Sequence, residues 1–124
     1  MTSPIAALRT VARFDDADFV PMALDGEDIE RSTWKNISFD EASGRGSYLM
    51  RMEPGAVSNP HRHNGAEEFF ILEGDLKDHD GHLYAQGDFV SLAAGSCHKS
   101  ISPSGCLLVV THHGPVDSIE EADL

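Results

Sequence analysis

The 124-residue sequence is poor in basic residues and has no long apolar run. Nine lysines and arginines stand against 21 aspartates and glutamates, which gives a formal net charge of −12. A surface this acidic repels nucleic-acid phosphates and anionic lipid, so we predict neither a nucleic-acid partner nor a membrane partner. No apolar stretch reaches bilayer-spanning length, and the first residues lack the basic-then-apolar order of a secretion signal. We therefore expect a cytoplasmic protein.

Cysteine is scarce as well, with only Cys97 and Cys106 in the chain. The segment around them has the pattern of two strands joined by a turn at residues 102–105. A four-residue turn would place Ile101 opposite Cys106 and His98 opposite Val109, which keeps the two thiols too far apart for a disulfide. We expect two free cysteines, as is usual in a reducing compartment.

Sustained helical periodicity is also missing from the sequence. From Trp34 onward, short apolar segments of strand length alternate with breaks rich in glycine, proline, asparagine and aspartate. This pattern predicts an all-β sandwich or barrel, and the length suits a single domain. We divide the chain into an N-terminal arm with one or two short strands (1–33), a β-barrel (34–113) and an acidic C-terminal tail (114–124).

Two histidines stand one residue apart in the sequence PHRHNGAEEFFILEG, residues 60–74. In a strand, His61 and His63 point to the same face, where two imidazoles can bind one metal ion. His98, on a later predicted strand, is the candidate third imidazole. Histidine combined with a carboxylate suits Fe(II), Zn(II), Mn or Ni, so we expect one divalent ion as the cofactor.

Two glutamates compete for the place of the carboxylate ligand. A three-residue loop at 64–66 would put Glu67 on the face of His63, whereas a two-residue turn at 64–65 would put Glu68 there. Alternation along the strand says only that the two side chains point to opposite faces. The residues themselves leave both alternatives open.

Side chains that share a face with these residues should line a mainly apolar pocket. The strand parities and the hairpin register above predict a lining that includes Phe69, Ile71, Val109 and His113, together with either Arg51 or Met50 from the preceding strand. An inward Arg51 would suit an enolate or carboxylate ligand through bidentate pairing. We favour an outward Arg51 that pairs with surface acid, with Met50 inward in its place. No catalytic residue is assigned.

The segment with the paired histidines resembles the first sequence motif of the cupin superfamily. The motif is a series of glycines, histidines and one glutamate at fixed distances, and the chain matches it at Gly55, His61, His63, Glu67 and Gly74. Agreement at every one of these positions makes the match specific. The family spacing also selects Glu67 over Glu68.

A later segment resembles the second cupin motif. The chain matches its spacing at Gly87, Ala93, Gly95, His98 and Ser102, with alanine where the family often has proline and serine where it often has asparagine. Those two positions shape a turn and a strand end, so the departures do not affect the ligand positions. The resemblance implies an RmlC-like jelly-roll β-barrel and gives the metal-ligand role to His61, His63, Glu67 and His98.

Residues 34–113 more closely resemble the cupin domain of ChrR-type anti-sigma factors and of the dioxygenases that cleave acetylacetone or related diketones and hydroxyketones. The resemblance is carried by Trp34 and by the segments PGAVSNPHRHNGAEEFFILEG, DHDGHLYAQGDFV and SPSGCLLVV. The resemblance implies a dioxygenase-like enzyme that uses one divalent ion, Fe(II) or Zn(II), on a small dicarbonyl or hydroxyketone. The metal sites of the acetylacetone-cleaving enzymes resemble three-histidine sites without a glutamate, so Glu67 is a departure from their pattern. The alternatives are a non-catalytic zinc-binding sensor or small-molecule binding module and, less favoured, a metal-assisted isomerase. The family also implies a homodimer in which the arm covers an edge strand of the partner.

Overall fold

The computed structural model describes residues 4–124, and β-strands dominate this part of the chain. The first strands are β1 (Val20–Leu24), β2 (Glu27–Asn36), β3 (Arg45–Met52), β4 (His61–His63), β5 (Glu67–Asp78) and β6 (Leu83–Ala85). The later strands are β7 (Phe89–Leu92), β8 (Cys97–His98), β9 (Ser100–Ile101), β10 (Cys106–His113) and β11 (Val116–Ser118). A one-turn helix, α1 (Ile5–Leu8), and the 3₁₀ turns Asp16–Asp18 and Glu121–Asp123 lie near the two ends. The all-β prediction is therefore confirmed.

Two antiparallel sheets hold these strands. The larger sheet runs in the order β1-β2-β3-β10-β5-β6, and β7 and β9 also pair with β5. The smaller sheet has the order β11-β4-β8. The long strand β5 pairs with β10 and β7 through its first half and with β6 and β9 through its second half. The three strands of the smaller sheet are separated in sequence by strands of the larger one, so the chain crosses from one sheet to the other to reach each of them. Residues that are distant in the sequence thereby become neighbours.

The core lies on the inner face of the larger sheet. Alternation along β3 and β10 turns Tyr48, Met50, Leu108 and Val110 inward, and each is at least nine-tenths buried. Phe69 on β5 joins the same cluster. Removing this apolar area from water is the main favourable contribution to folding. Among residues 4–124, no helix is long and apolar enough to cross a bilayer.

The hairpin predicted between the two cysteines does not form. Strand β8 pairs with β4 and β9 pairs with β5, while β10 lies between β3 and β5. His98 is consequently opposite His61 instead of Val109. The turn residues were identified correctly, but they connect strands that cross to different neighbours, which local turn chemistry does not reveal. Cys97 and Cys106 are both free, as predicted.

Strands extend beyond both ends of the segment assigned to the barrel. Strand β2 crosses residue 34 and pairs with β3, and Met22 and Ile29 are buried in the core. Strand β11, within the predicted tail, pairs with β4. These segments are rich in acid because one side of each faces water, and their few apolar residues point inward. Residues 4–19 are what remains of the arm outside the sheets.

Gly74 marks the point where β5 passes the start of β10. Its φ is +81°, and an added Cβ would meet the Gly105 carbonyl oxygen at 1.9 Å. Gly81, at the tip of the β5–β6 hairpin, has a similar φ of +96° but open space around it. An alanine at either position would strain the backbone, but only at position 74 would its methyl group also clash with another part of the chain. Comparing the two positions therefore separates the two effects.

We expect Gly74→Ala to lower the free energy of unfolding by at least about 2 kcal/mol more than Gly81→Ala does. The excess comes from the backbone shift that the new methyl group requires. Urea unfolding followed by the fluorescence of Trp34 measures both values. Equal losses in the two variants would contradict the close approach of β5 and β10.

Candidate metal centre

The two sheets bring three imidazoles and one carboxylate together. His61 and His63 lie on β4 with their side chains on one face, and His98 on β8 is directly opposite His61. Glu67 is the first residue of β5 in the larger sheet. One candidate ligand atom from each of these four residues lies within 4.8 Å of the others. The cluster is therefore small enough for all four to reach one ion.

A hydrogen bond on the far nitrogen fixes the direction of each imidazole. The Nδ1 partners of His61, His63 and His98 are, in that order, the Asn59 carbonyl at 2.8 Å, the Ser96 hydroxyl at 2.9 Å and an Asp78 carboxylate oxygen at 3.0 Å. Carbonyl and carboxylate oxygens only accept, so Nδ1 carries the proton in His61 and His98. Their Nε2 atoms are left with a lone pair turned toward the cluster, which is the arrangement a metal ligand needs.

The Nε2 atoms face each other in a way that only a shared cation fully satisfies. His61 Nε2 and His98 Nε2 are 3.0 Å apart, and two lone pairs at that distance repel. His63 Nε2 is buried and makes no hydrogen bond, although Glu67 Oε2 lies 2.7 Å away. A buried polar atom left without a partner is costly unless an ion occupies the space it faces. The residues present therefore fit a divalent metal ion.

The charge states suit metal binding as well. Burial would raise the pKa of Glu67, but the imidazoles around it, His63 foremost, hold it well below its ordinary value, so the carboxylate is ionised. Burial and then the neighbouring His98 lower the pKa of His61 to about 4, so this imidazole is neutral at pH 7. Burial opposes protonation of His98 too, but the hydrogen bond to Asp78 and the nearby carboxylates raise its pKa. Protons therefore compete with a metal more strongly at His98 than at His61.

Asp78 orients His98 from behind. Besides the bond from His98 Nδ1, its carboxylate accepts hydrogen bonds from the Ser100 hydroxyl at 2.6 Å and the Tyr84 hydroxyl at 2.5 Å. Burial would raise the pKa of Asp78, but these donors lower it to about 2. A carboxylate behind a metal-ligating histidine fixes the ring and strengthens it as a ligand.

A cavity opens beside the cluster, on His61, Glu67 and His98. Its walls are mainly apolar and come from both sheets and from the β1–β2 hairpin, including Met22, Leu24, Ile29, Met50, Phe69 and Leu108. Tyr48 also lines the wall, and Asp25 and Glu27 lie at the hairpin end of the cavity. No lysine or arginine of the described chain lines it. An apolar cavity with a few polar groups at one end is the usual form of a small-molecule site.

Of the predicted lining residues, Phe69 lines the cavity, whereas Ile71 is fully buried in the core and does not line it. Arg51, Val109 and His113 point away from it. The Arg51 guanidinium pairs with Asp16 at 2.9 Å on the outer face, as the favoured alternative had it, with Met50 inward.

Val109 and His113 were placed inward because of the hairpin register, which is wrong. Val109 is only half-buried on the outer side of β10, and His113 bonds Glu68 at 2.8 Å on the surface. Glu68 is thereby engaged outside the barrel, whereas Glu67 points inward.

Sequence reasoning missed His112. It is 2% exposed, and its Nδ1 lies 3.5 Å from Glu67 Oε2. The run CLLVVTHH hides the parity of β10, because apolar residues occupy both faces of its first half. Thr111 could have revealed the parity of β10. If this polar residue lies on the outer face, alternation turns both of its sequence neighbours inward, and His112 is one of them.

Comparison with known proteins identifies similar folds. A family model described as "ChrR Cupin-like domain" matches residues 8–117. None of the curated proteins matches the chain. An acetylacetone dioxygenase from Acinetobacter johnsonii superimposes with a TM-score of 0.80 at 18% identity, over 92% of this chain and 80% of that one.

Two further structures share the fold. The polyketide cyclase RemF from Streptomyces resistomycificus has a TM-score of 0.65 at 21% identity, over 90% of this chain and 87% of that one. The anti-sigma ChrR, solved in complex with SigE of Rhodobacter sphaeroides, has a TM-score of 0.64 at 15% identity, over 81% of this chain and 50% of that one. Together with the family match, these likenesses confirm the predicted cupin jelly roll.

The two adjacent glutamates give a matched test of the ligand set. Glu67→Gln keeps the shape of the side chain but removes the buried charge, so we expect affinity for Zn(II) or Co(II) to fall by more than the roughly 10–100-fold typical of losing an outer partner. Glu68→Gln, which loses only the surface contact with His113, should bind as the unaltered protein does. Competition with a chromophoric chelator measures both. Weaker binding in Glu68→Gln alone would show that the wrong carboxylate had been chosen.

Proposed function

The chain belongs to the family of ChrR cupin-like domains, and on this premise we propose that it is a metal-dependent, dioxygenase-like enzyme for a small dicarbonyl or hydroxyketone. The observation that carries the proposal is the convergence of three imidazoles and one carboxylate beside an apolar cavity, whose wall includes two of the imidazoles and the carboxylate. A bound Fe(II) would supply open coordination positions at which a chelating substrate and O₂ meet. His61, His63, Glu67 and His98 would hold the ion.

The cavity favours an uncharged ligand. Its apolar walls can bury a carbon skeleton, while Asp25 and Glu27 give its hairpin end a negative charge. Phosphates and carboxylates usually bind through lysine or arginine, which the described lining does not contain. A dicarbonyl or hydroxyketone offers two neutral oxygens at one end and carbon at the other, and this matches the polarity of the cavity.

The chain's own residues would divide the work between them. Asp78 keeps the lone pair of His98 turned toward the ion, and the Asn59 carbonyl does the same for His61. Glu67 contributes one negative charge, which offsets part of the charge of a divalent ion. Phe69 and its apolar neighbours exclude water from the space beside the ligands.

A non-catalytic zinc-binding module is the second candidate. The same four ligands would complete the tetrahedral shell that zinc prefers, and a closed site is structural. The fold shared with ChrR, which was solved bound to SigE, supports a sensor of this kind. The metal that the protein carries therefore separates the two candidates.

We expect the protein loaded with Fe(II) to consume oxygen with at least one member of a panel of neutral dicarbonyls and hydroxyketones. Carboxylate-bearing analogues of similar size should bind more weakly, because no cation of the described lining meets them. Trp34 reports binding independently of turnover, since its ring lies 5.2 Å from that of Tyr48 on the cavity wall.

Two controls accompany this assay. The zinc-loaded protein should bind the same neutral compounds without consuming oxygen, and Glu68→Gln should behave as the unaltered protein does. Tightly held zinc that resists exchange, together with no oxygen uptake on any compound, would reject the enzyme and favour the binding module.

The N-terminal arm supports a homodimer. Ile5, Leu8, Val11 and Phe14 recur every third residue and are each at least half exposed, with Arg9 and Arg13 between them. An apolar, basic segment on an otherwise acidic chain suits contact with a second copy. We expect light scattering to give twice the chain mass. Replacing Leu8 and Val11 with serine should shift the mass toward the monomer, and a monomer before any substitution would contradict the dimer.

A further inference from the structure

His112 lies next to the candidate ligands without being one of them. On β10 it is directly opposite Glu67 of β5, and its side chain is 1% exposed. Its ring stacks on that of Tyr48 at 5.4 Å and lies 6.1 Å from the ring of His63. Burying an imidazole in an apolar strand lowers the stability of the fold unless both ring nitrogens have polar partners.

Both nitrogens of His112 do have partners, and the partners fix its tautomer. Nε2 lies 2.8 Å from the Tyr48 hydroxyl, and Nδ1 faces Glu67 Oε2 at 3.5 Å. A lone pair aimed at a carboxylate oxygen would be repelled, so the proton of the neutral ring belongs on Nδ1. The Tyr48 hydroxyl therefore donates to Nε2, and the Nδ1–H dipole points at Glu67.

We propose that His112 is a positioning residue: its Nδ1–H, 3.5 Å from Glu67 Oε2, fixes the orientation in which the Glu67 carboxylate faces the metal site. This inference rests on the metal centre of the proposed function. The attraction between this N–H and the negative carboxylate limits rotation of the carboxylate, and so sets the direction from which Glu67 can reach an ion.

Tyr48 completes the arrangement. Its ring packs against those of Trp34 at 5.2 Å and Phe39 at 5.6 Å, and it also lines the cavity. A rigid donor therefore holds His112, and His112 in turn holds Glu67. One hydrogen bond, from Tyr48 to His112, and one electrostatic contact, from His112 to Glu67, thus link the cavity wall to the carboxylate across β3, β10 and β5.

The experiment compares Co(II)-loaded variants by their visible absorption, which changes in intensity with coordination number. His112→Leu removes the donor, and we expect an altered Co(II) spectrum and a roughly 10–100-fold loss of Co(II) affinity. His112→Asn places an amide N–H near the position of Nδ1–H and should restore most of the spectrum. Tyr48→Phe keeps the packed ring and should change the spectrum in the same direction as His112→Leu, by a smaller amount.

Ser47→Ala is the matched control. Ser47 and Thr111 share a 2.7 Å hydrogen bond between the same two strands, one residue away from Tyr48 and His112 but on the outer face. Its spectrum should equal that of the unaltered protein, which separates positioning from general loosening of β3 and β10.

Unaltered Co(II) spectra in both His112→Leu and Tyr48→Phe would overturn the positioning role, even if the melting temperature fell. An unaltered protein that binds no Co(II) would overturn the metal centre and this inference with it. The experiment does not measure oxygen consumption. The Co(II) spectra therefore test the positioning role of His112 even if the protein proves not to be a dioxygenase.

Discussion

The structure depends on a buried negative charge. Glu67 begins β5 inside the barrel, and its carboxylate is ionised although its side chain is only 8% exposed. A buried charge is unfavourable unless opposite charge or aligned dipoles compensate it. The Nδ1–H of His112 supplies part of that compensation, and a cation in the space that the other imidazoles face would supply the rest. Metal binding and folding stability should consequently be coupled in this protein.

The strand pairing determines which side chains meet this charge. The smaller sheet sets His61 opposite His98, while the larger sheet sets His112 opposite Glu67. Each imidazole is then fixed by a partner outside the cluster, so little rotation remains before an ion binds. Preorganisation of this kind lowers the entropic cost of binding. Apolar walls next to the ligands enclose a cavity of the kind that binds small molecules.

The fold and the clustering of the four candidate ligands were predictable from sequence because their signals are local or have fixed spacing. Short apolar segments between turn residues indicated an all-β domain, and the distances from Gly55 to Gly74 indicated a cupin motif. The pocket was less predictable, since the inward face of β10 depends on its partners. An assumed hairpin put Val109 and His113 inside, whereas pairing with β3 and β5 puts His112 there. Turn chemistry identifies a reversal of the chain, but it does not identify the strand that the chain pairs with next.

Anomalous scattering from crystals of the metal-loaded protein tests the central claim most directly. The account predicts one ion per chain, about 2.0–2.2 Å from the Nε2 atoms of the three imidazoles and from one oxygen of Glu67. An ion bound elsewhere on the chain, or imidazoles that point apart in the loaded protein with no ion between them, would contradict it.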